Sequence, residues 1–345
     1  MSLQLPQQLT PPHVVSSLTD ATNKLPIAPP CKIYFKNDLE QPSGSFKLRG
    51  IGNLIYQSYL KYQNSPKQCQ VFASSGGNPG LAAAYSAWYY KIPCTVVLPV
   101  VSKPQVRQQL IDYNAKIILF GNTIYEADKY LKTLIALIDQ TKIQPIYCHP
   151  FDNPLIWQGH ASLVDELTNQ LPDPSKLKGV VCSCGGGGLY NGIYQGLQNN
   201  NIDAKILLVE TKQAPTLSES LKANKLVTLD SVNSLATSLA CSYTTQQSLN
   251  NYHNNDKVST SLELIDDLDA VKGCVDYFDA FGKVIEPACG ASLSVIYSKL
   301  ELLYKHFQHL SPDDAVVIVV CGGSCTTEKD LQDFRKLIAR NETKL

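Results

Sequence analysis

The chain of 345 residues carries 30 basic and 30 acidic side chains, so its formal net charge at pH 7 is +0. This balance argues against nucleic acid as a partner, and no apolar stretch approaches the roughly 18 residues that a membrane span needs. With 44% hydrophobic and 17% charged residues, the composition is that of a globular protein with a sizeable core and room for two domains.

The N-terminal residues 1–30 are rich in Pro, Ser, Thr and Gln and contain no arginine, which argues against a mitochondrial presequence. Eleven cysteines are scattered along the chain. An odd number in a long chain favours reduced thiols over a disulfide framework, and neither Cys182-x-Cys184 nor Cys321-x-x-x-Cys325 has zinc-site spacing. We therefore expect a cytoplasmic protein.

From residue 32 onward, short apolar segments alternate with helix-like segments. This alternation is typical of a parallel sheet covered by helices. Asp152-Asn153-Pro154 is a turn signal and marks an expected domain crossing. In the first half we expect strands at residues 32–36, 70–73, 94–99, 116–120 and 145–147, and helices at residues 50–63, 81–90, 103–113 and 123–140.

The same pattern continues after the crossing. It predicts an α/β fold of two open, mostly parallel sheets with helices on both faces and a functional cleft at the carboxyl ends of the strands. Residues 1–38 and 149–345 are expected to form a large domain, and residues 39–148 a small one. Acidic residues 263–269 are interpreted as a solvated helix face. In the second half we expect helices at residues 155–170, 189–199, 261–272 and 290–306, and strands at residues 179–182, 205–210 and 315–320.

Lys47 lies in an unusual setting for a lysine, between small polar residues with an aromatic neighbour and a helix-like run. Two glycine-rich turns and one glycine-containing strand end occur elsewhere in the chain, at residues 74–80, 185–189 and 321–324. Together, these four segments could enclose a small phosphorylated cofactor that Lys47 holds as a Schiff base. A desolvated pocket would lower the pKa of the lysine, as this chemistry requires.

The tetraglycine Gly185 to Gly188 falls between an expected strand and an expected helix. Without Cβ atoms the backbone can close around a phosphate, and the N-terminus of the helix offers free N–H donors. A flexible turn is the alternative reading. The spacing does not fit a Walker loop, because no Gly-Lys-Ser/Thr ending follows.

In this order and spacing, the four segments resemble the fold type II (tryptophan synthase β-like) pyridoxal-phosphate enzymes. The resemblance extends from about residue 33 to residue 327, and it is strongest to the eukaryotic L-serine/L-threonine dehydratases. The segments that carry it are Pro42-Ser43-Gly44-Ser45-Phe46-Lys47-x-Arg49-Gly50, Glu286-Pro287-Ala288-Cys289-Gly290-Ala291 and Val320-Cys321-Gly322-Gly323-Ser324.

The resemblance implies pyridoxal 5'-phosphate in the cleft between the domains, joined to Lys47, which also acts as the base. It implies that Phe46 packs against the pyridine ring and that Asn78 binds the ring oxygen. The phosphate would lie on Gly185, Gly186, Gly187, Gly188 and Leu189. Cys321 would face the ring nitrogen, where a neutral thiol suits β-elimination better than transamination or racemisation.

The resemblance further implies an amino-acid substrate, L-serine or L-threonine, which loses water and ammonia to give pyruvate or 2-oxobutanoate. Catalysis is assigned to Lys47 and Ser75. Backbone N–H groups of the loop would bind the substrate carboxylate together with hydroxyl groups, so no arginine clamp is needed and Arg49 is read as structural. The expected substrate-binding residues are Ser45, Ser74, Ser75, Gly76 and Asn78.

Two departures separate subfamilies. Related serine racemases carry a serine at the position of Gly76, and their divalent-ion site has an aspartate where this chain has Thr216, although Glu210 and Ala214 match. We therefore expect a monovalent cation, potassium, instead of a divalent ion. It would be held by carbonyls around Gly185 and Ala214.

Three other readings stay open: a serine racemase, a β-replacement synthase on the same scaffold, and an inactive paralogue that binds the cofactor without turnover. His149 and His160 are read as structural rather than catalytic. A homodimer is expected. Only about twenty residues follow Cys325, which favours a catabolic role (amino-acid breakdown feeding gluconeogenesis) over feedback control by isoleucine.

Overall fold

The computed structural model describes residues 10–255 and 257–342. The strands are β1 Leu18–Asp20, β2 Lys32–Asn37, β3 Gln68–Ala73, β4 Cys94–Leu98, β5 Lys116–Leu119, β6 Ile143–Tyr147, β7 Leu177–Ser183, β8 Lys205–Thr211, β9 Thr260–Ile265 and β10 Ala315–Val320. The helices are α1 Lys47–Tyr62, α2 Asn78–Tyr89, α3 Pro104–Asp112, α4 Ile124–Ala136, α5 Pro154–Gln170, α6 Gly188–Asn199, α7 Thr216–Lys222, α8 Gln246–His253, α9 Asp267–Phe281, α10 Pro287–Tyr297, α11 Glu301–His306 and α12 Glu328–Glu342.

The strands form two sheets, which confirms the predicted α/β class. The larger sheet has the order β1-β2-β10-β7-β8-β9, and only β1 runs antiparallel to its neighbour. The smaller sheet has the order β5-β4-β3-β6 and is parallel throughout. The central strand β10 reads Ala-Val-Val-Ile-Val-Val and is buried at every residue, as expected for a strand covered on both faces.

The strands of the smaller sheet all fall between residues 68 and 147, whereas those of the larger sheet lie before and after this range. Helix α1 leads from the larger sheet to the smaller one and packs against both α2 and α5. The assignment of residues 39–148 to a separate domain stays a prediction. Within the described residues, no helix has both the length and the apolar character to cross a membrane.

The predicted helix over residues 261–272 is wrong in its first half. Residues 260–265 form strand β9, which pairs with β8 along its whole length. Asp266 then caps α9 in a capping box with Asp269, so the helix begins only at residue 267. The acidic segment is not a solvated face either, because Asp267 is 5% exposed and accepts hydrogen bonds from Ser234 Oγ and Leu235 N.

Other differences concern where helices end. The predicted helix over residues 290–306 is two helices, α10 and α11, separated at residues 298–300. The predicted helix over residues 123–140 stops at residue 136. Strand β1 and helices α7, α8 and α12 lie in segments whose sequence pattern predicts no element.

Arg49, in the first turn of α1, forms the centre of a buried ionic cluster. It is 0% exposed and binds Asp38 through two parallel hydrogen bonds, from Nε to Oδ2 at 2.7 Å and from Nη2 to Oδ1 at 2.8 Å. It also donates to Glu166 Oε1 and Oε2 at 2.5 and 2.8 Å, and Lys36 pairs with the same carboxylate. Arg49 therefore joins the residue after β2 to helix α5 and is structural, as predicted.

Replacement of Asp38 by alanine should destabilise the fold strongly. Burial alone would raise the pKa of Asp38, but the Arg49 guanidinium outweighs it and holds the pKa below its usual value. Removal of the Asp38 carboxylate leaves the buried Arg49 guanidinium without one of its two negatively charged partners. The free energy of unfolding should therefore fall by about 3–5 kcal/mol in chemical denaturation.

Asp313→Ala is the matched control. Asp313 is 81% exposed and lies 3.8 Å from Lys32, so its loss should change the free energy of unfolding by less than about 0.5 kcal/mol. Equal effects of the two substitutions would contradict the role given to the Arg49 cluster. The Asp38 contribution should also depend on pH: it is complete above the unfolded-state pKa and is lost as the pH falls from there through the depressed folded-state pKa.

Candidate active site

A cavity of about 700 Å³ lies where the carboxyl ends of strands from both sheets meet. Segments that follow β2, β3, β7 and β10 line it, as the parallel topology predicts, and residues 229–243 complete its wall. Of the residues predicted from the sequence, the cavity brings together Phe46, Lys47, Ser74, Ser75, Asn78, Gly185, Gly186, Gly187, Gly188, Leu189 and Cys321.

Three predicted residues do not line this cavity. Ser45 is buried, in an isolated β-bridge with Gly322. A Cβ on Gly76 would lie 3.2 Å from Leu98 and 3.4 Å from Val106, two buried residues that do not line the cavity. Ala214 is fully buried after β8. Their predicted roles in substrate or cation binding stay predictions.

Lys47 is the first residue of α1 and lines the cavity. Its Nζ donates a 2.7 Å hydrogen bond to the Pro150 carbonyl and lies 5.0 Å from the centroid of the Phe46 ring. Burial lowers the pKa of this amine below 10.5. The amine is therefore displaced toward the neutral, nucleophilic form that covalent attachment of an aldehyde requires.

The turn before Lys47 is held against the segment after β10. Phe46 N donates to the Cys321 carbonyl at 3.1 Å, and Gly323 N donates to the Gly44 carbonyl at 2.9 Å. Cys321 is 7% exposed, and a hydrogen bond with the Cys289 thiol together with burial raises the pKa of its own thiol. Cys321 therefore presents a neutral thiol close to the lysine.

The tetraglycine connects β7 to the N-terminus of α6, and its shape excludes side chains. A Cβ on Gly186 would lie 2.4 Å from the Phe151 ring, and one on Gly187 would lie 1.9 Å from Ser248 Oγ. Gly187 also has a φ of +86°, which L-residues rarely adopt. The result is an open backbone cup at a helix N-terminus, where N–H donors and the helix dipole favour an anion.

In the loop after β3, some polar groups are hydrogen-bonded within the protein and others are available to a ligand in the cavity. Ser74 Oγ donates to Asp128 Oδ1 at 2.8 Å, so its proton is engaged. Ser75 Oγ accepts from Gly77 N at 3.2 Å, which leaves the Ser75 hydroxyl proton for a ligand. Asn78 Oδ1 accepts from Ser324 N at 3.0 Å, and its Nδ2 donates to Glu286.

Burial keeps both histidines in the neutral form. His149 Nδ1 accepts from Asp152 N at 2.7 Å, its Nε2 pairs with Tyr243 Oη at 2.9 Å, and burial lowers its pKa to about 4. His160 is fully buried, packs on the Phe46 ring at 5.1 Å between centroids, and burial lowers its pKa well below 6.5. His160 thus supports the aromatic ring that accompanies Lys47.

The segment predicted to hold a cation contains one buried acid. Glu210 is 0% exposed and accepts from Leu217 N and Ser218 N at 2.7 and 2.9 Å, and burial raises its pKa to about 8. Gly185 and Ala214 follow the adjacent strands β7 and β8. In the part of the chain that the structure describes, no group of three or more His, Cys, Asp and Glu side chains could hold a metal ion.

Sequence reasoning gave no role to three lining residues, Asp128, Phe151 and Glu286. Glu286 stands in a motif that carries the family resemblance, but its partners Asn78 and Ser238 lie 208 and 48 residues away. Asp128 lies on the helical pattern of α4, where an aspartate ordinarily faces solvent. Only the folded chain shows that these side chains meet at the cavity.

Fold and cavity together define a site for a small anionic molecule beside a desolvated amine. The residues present fit pyridoxal phosphate, because the four glycines expose their backbone to the same cavity as Lys47 and the neutral thiol. A family model described as "Pyridoxal-phosphate dependent enzyme" matches residues 21–322. The chain belongs to this family.

Relatives and solved structures agree with this result. The catabolic L-serine/threonine dehydratase of Saccharomyces cerevisiae is 41% identical over 320 residues, which cover 90% of this chain and 88% of the yeast protein. The L-serine dehydratase/L-threonine deaminase of Bos taurus is 35% identical over 306 residues, covering 88% and 89%. A crystal structure of an L-serine ammonia-lyase from Rhizomucor miehei superposes with a TM-score of 0.82 at 29% identity, covering 94% and 98%.

Gly187→Ala should weaken both the fold and cofactor binding more than the replacement of a glycine outside the tetraglycine. The new Cβ would meet Ser248 Oγ at 1.9 Å in a backbone with φ +86°. Strain and overpacking together should cost about 3 kcal/mol in the free energy of unfolding. The affinity for pyridoxal phosphate should fall at least about tenfold in an absorbance titration, since a 1.4 kcal/mol loss suffices for this.

The control is Gly282→Ala, which also has a positive φ of +66° but nothing within 4 Å of the added Cβ. It should cost only about 1 kcal/mol and leave cofactor affinity unchanged. If Gly187→Ala bound pyridoxal phosphate as tightly as Gly282→Ala, the glycine cup would not be the anion site.

Proposed function

We propose that this chain is an L-serine/L-threonine ammonia-lyase, which converts L-serine to pyruvate and L-threonine to 2-oxobutanoate with release of ammonia. The observation that carries the proposal is the Lys47 amine, desolvated in a cavity that also contains the glycine cup and the neutral Cys321 thiol. The names of the yeast and bovine relatives and of the Rhizomucor structure support the choice of reaction and substrates.

When bound, pyridoxal phosphate supplies an electron-withdrawing ring that acidifies the α-carbon of an amino acid joined to it. The protein contributes position and proton transfer. The Ser75 hydroxyl and the N–H groups of the loop before α2 bind the substrate carboxylate. Lys47, whose pKa burial lowers, accepts the α-proton. Cys321 stays protonated and neutral because its pKa is raised.

Loss of the α-proton and of the β-hydroxyl leaves an unsaturated amine. The hydroxyl departs with a proton as water, so the elimination itself needs no oxidant or reductant. Hydrolysis of the amine then gives the 2-oxo acid and ammonia, which balances the reaction. Phe46, held from behind by His160, forms one wall beside the lysine and limits the access of water.

The competing reactions on this scaffold are separated by their products. A racemase would form D-serine, a β-replacement synthase would need sulfide or homocysteine, and an inactive paralogue would bind the cofactor without turnover. Gly76 has no side chain that could act as a second acid on the opposite face. This observation favours elimination over racemisation.

Lys47→Ala should abolish both the visible absorbance of the bound cofactor and the formation of pyruvate from L-serine. The loss of activity should be at least about 10³-fold, because the substitution removes both the covalent attachment and the base. A coupled assay for pyruvate and 2-oxobutanoate measures it, and Lys283→Ala, on an exposed lysine, is the control. Retained turnover in Lys47→Ala would refute the proposal.

Potassium is the cation that we propose for the carbonyls of Gly185 and Ala214. Glu210, which is fully buried near the end of β8, is a nearby source of oxygen atoms, the ligand type that such ions prefer. Replacement of potassium by N-methylglucamine at constant ionic strength should lower the melting temperature and the activity. Equal values in both salts would contradict the site.

We further propose a homodimer in the cytoplasm with a catabolic role in amino-acid breakdown and gluconeogenesis. The yeast relative is named a catabolic enzyme, which supports the role. Exposed apolar side chains such as Val15 and Val101, 69% and 72% exposed, offer surface for self-association. Light scattering after size exclusion tests the dimer: a monomeric mass at micromolar concentration would rule it out.

A further inference from the structure

The Glu286 carboxylate lies in the cavity wall and links three segments that are distant in sequence. It is 3% exposed, and Asn78 Nδ2 lies 3.0 Å from its Oε1 and 3.1 Å from its Oε2. Cys325 N donates to Oε1 at 2.8 Å, and Ser238 Oγ donates to Oε2. These donors belong to the start of α2, to the segment after β10 and to the loop between α7 and α8.

Each of these donors is a neutral group, so the charge in this network belongs to the carboxylate. Hydrogen bonds to an ionised acceptor are stronger than those between neutral groups, and a buried carboxylate that loses them is costly. The arrangement in which all three segments donate hydrogen bonds to Glu286 is therefore strongly stabilised. Among them, Asn78 alone is expected to contact the cofactor.

The network fixes which end of the Asn78 amide faces which neighbour. Asn78 Oδ1 accepts from Ser324 N at 3.0 Å, while Nδ2 donates to Glu286. A flipped amide would place Oδ1 against the carboxylate and Nδ2 against the Ser324 N–H, so both contacts would become repulsive. The amide is thus held in one orientation.

The same geometry leaves one donor for a ligand. The two carboxylate oxygens of Glu286 are almost equidistant from Asn78 Nδ2 and lie on one side of it, so a single N–H points between them. The second N–H of the planar amide diverges from the first and is not used by Glu286. Asn78 lines the cavity, where this N–H suits an anionic ring oxygen.

We propose that Glu286 is a positioning residue for cofactor binding, which acts through Asn78 by ensuring that a donor and not an acceptor faces the cavity. The proposal rests on the part of the proposed function in which Asn78 binds the cofactor, and it assigns no proton transfer to Glu286. Its consequence is measurable as the affinity of the apoenzyme for pyridoxal phosphate, without any amino-acid substrate.

The test is a double-mutant cycle of Glu286→Gln and Asn78→Ala, with the dissociation constant of pyridoxal phosphate measured by absorbance titration of the apoenzymes. In the wild-type background, Glu286→Gln should weaken binding about tenfold, because the Asn78 amide is no longer held in one orientation. In the Asn78→Ala background, the same substitution should change binding less than about twofold, because its target is gone.

Two further variants keep the test decisive. Glu301→Gln makes the same chemical change at an exposed position of α11 and should leave the dissociation constant unchanged. Glu286→Asp keeps the charge but shortens the side chain, so it should weaken binding even if Glu286→Gln does not fold. The melting temperature of each apoenzyme shows whether the variant is folded.

The proposal is overturned if Glu286→Gln and Glu286→Asp bind pyridoxal phosphate as tightly as wild type. It is also overturned if Glu286→Gln weakens binding equally with and without Asn78, since this would indicate a structural effect only. Failure of the proposed function would be recognised separately. In that case the wild-type holoenzyme would form no 2-oxo acid from L-serine or L-threonine, while the double-mutant cycle would still show that Glu286→Gln weakens cofactor binding only when Asn78 is present.

Discussion

The position of the Lys47 amine depends on the ion pair that Arg49 forms two residues further along α1. The guanidinium is completely buried and held by two parallel hydrogen bonds to Asp38, which follows β2, and by two more to Glu166 on α5. A planar, doubly bonded guanidinium resists rotation, so the first turn of α1 is fixed between the larger sheet and α5. Lys47, at the start of this turn, is thereby directed into the cavity.

The buried surroundings that strengthen this ion pair also determine the chemistry beside it. Removal from water lowers the pKa of Lys47 and of His160, whereas the hydrogen bond with Cys289 together with burial raises the pKa of Cys321. A neutral histidine and a neutral thiol thus lie near the lysine, and the charge of an anionic cofactor would be met by backbone N–H donors at the start of α6. The fold and the protonation states follow from the same desolvation.

The parts of the site that the sequence predicts are those with a local signal. A glycine run directly after an apolar strand, as at residues 185–188, indicates both a strand end and a backbone cup, and parallel strands bring such ends together. Helix α1 and strand β10 likewise carry clear patterns. The sequence pattern does not reveal strand β9, because its six residues run directly into the start of α9 and the choice between strand and helix depends on pairing with β8.

Glu286 and Asp128 show where sequence reasoning stops. Their roles depend on contacts between segments 208 and 54 residues apart, Glu286 with Asn78 and Asp128 with Ser74. No spacing along the chain encodes these contacts, because Glu286 meets Asn78 only when the two sheets lie side by side, and Asp128 meets Ser74 only when α4 packs on the smaller sheet. The hydroxyl of Ser74, which the sequence assigns to the substrate, is engaged by Asp128 for this reason.

The most direct measurement of the central claim is the site of covalent attachment. Reduction of the holoenzyme with borohydride, followed by peptide mass spectrometry, converts the bond between cofactor and protein into a stable label. The account predicts a single pyridoxyl group on the Nζ of Lys47. A label on any other lysine, or a holoenzyme whose cofactor is removed unlabelled after reduction, would contradict it.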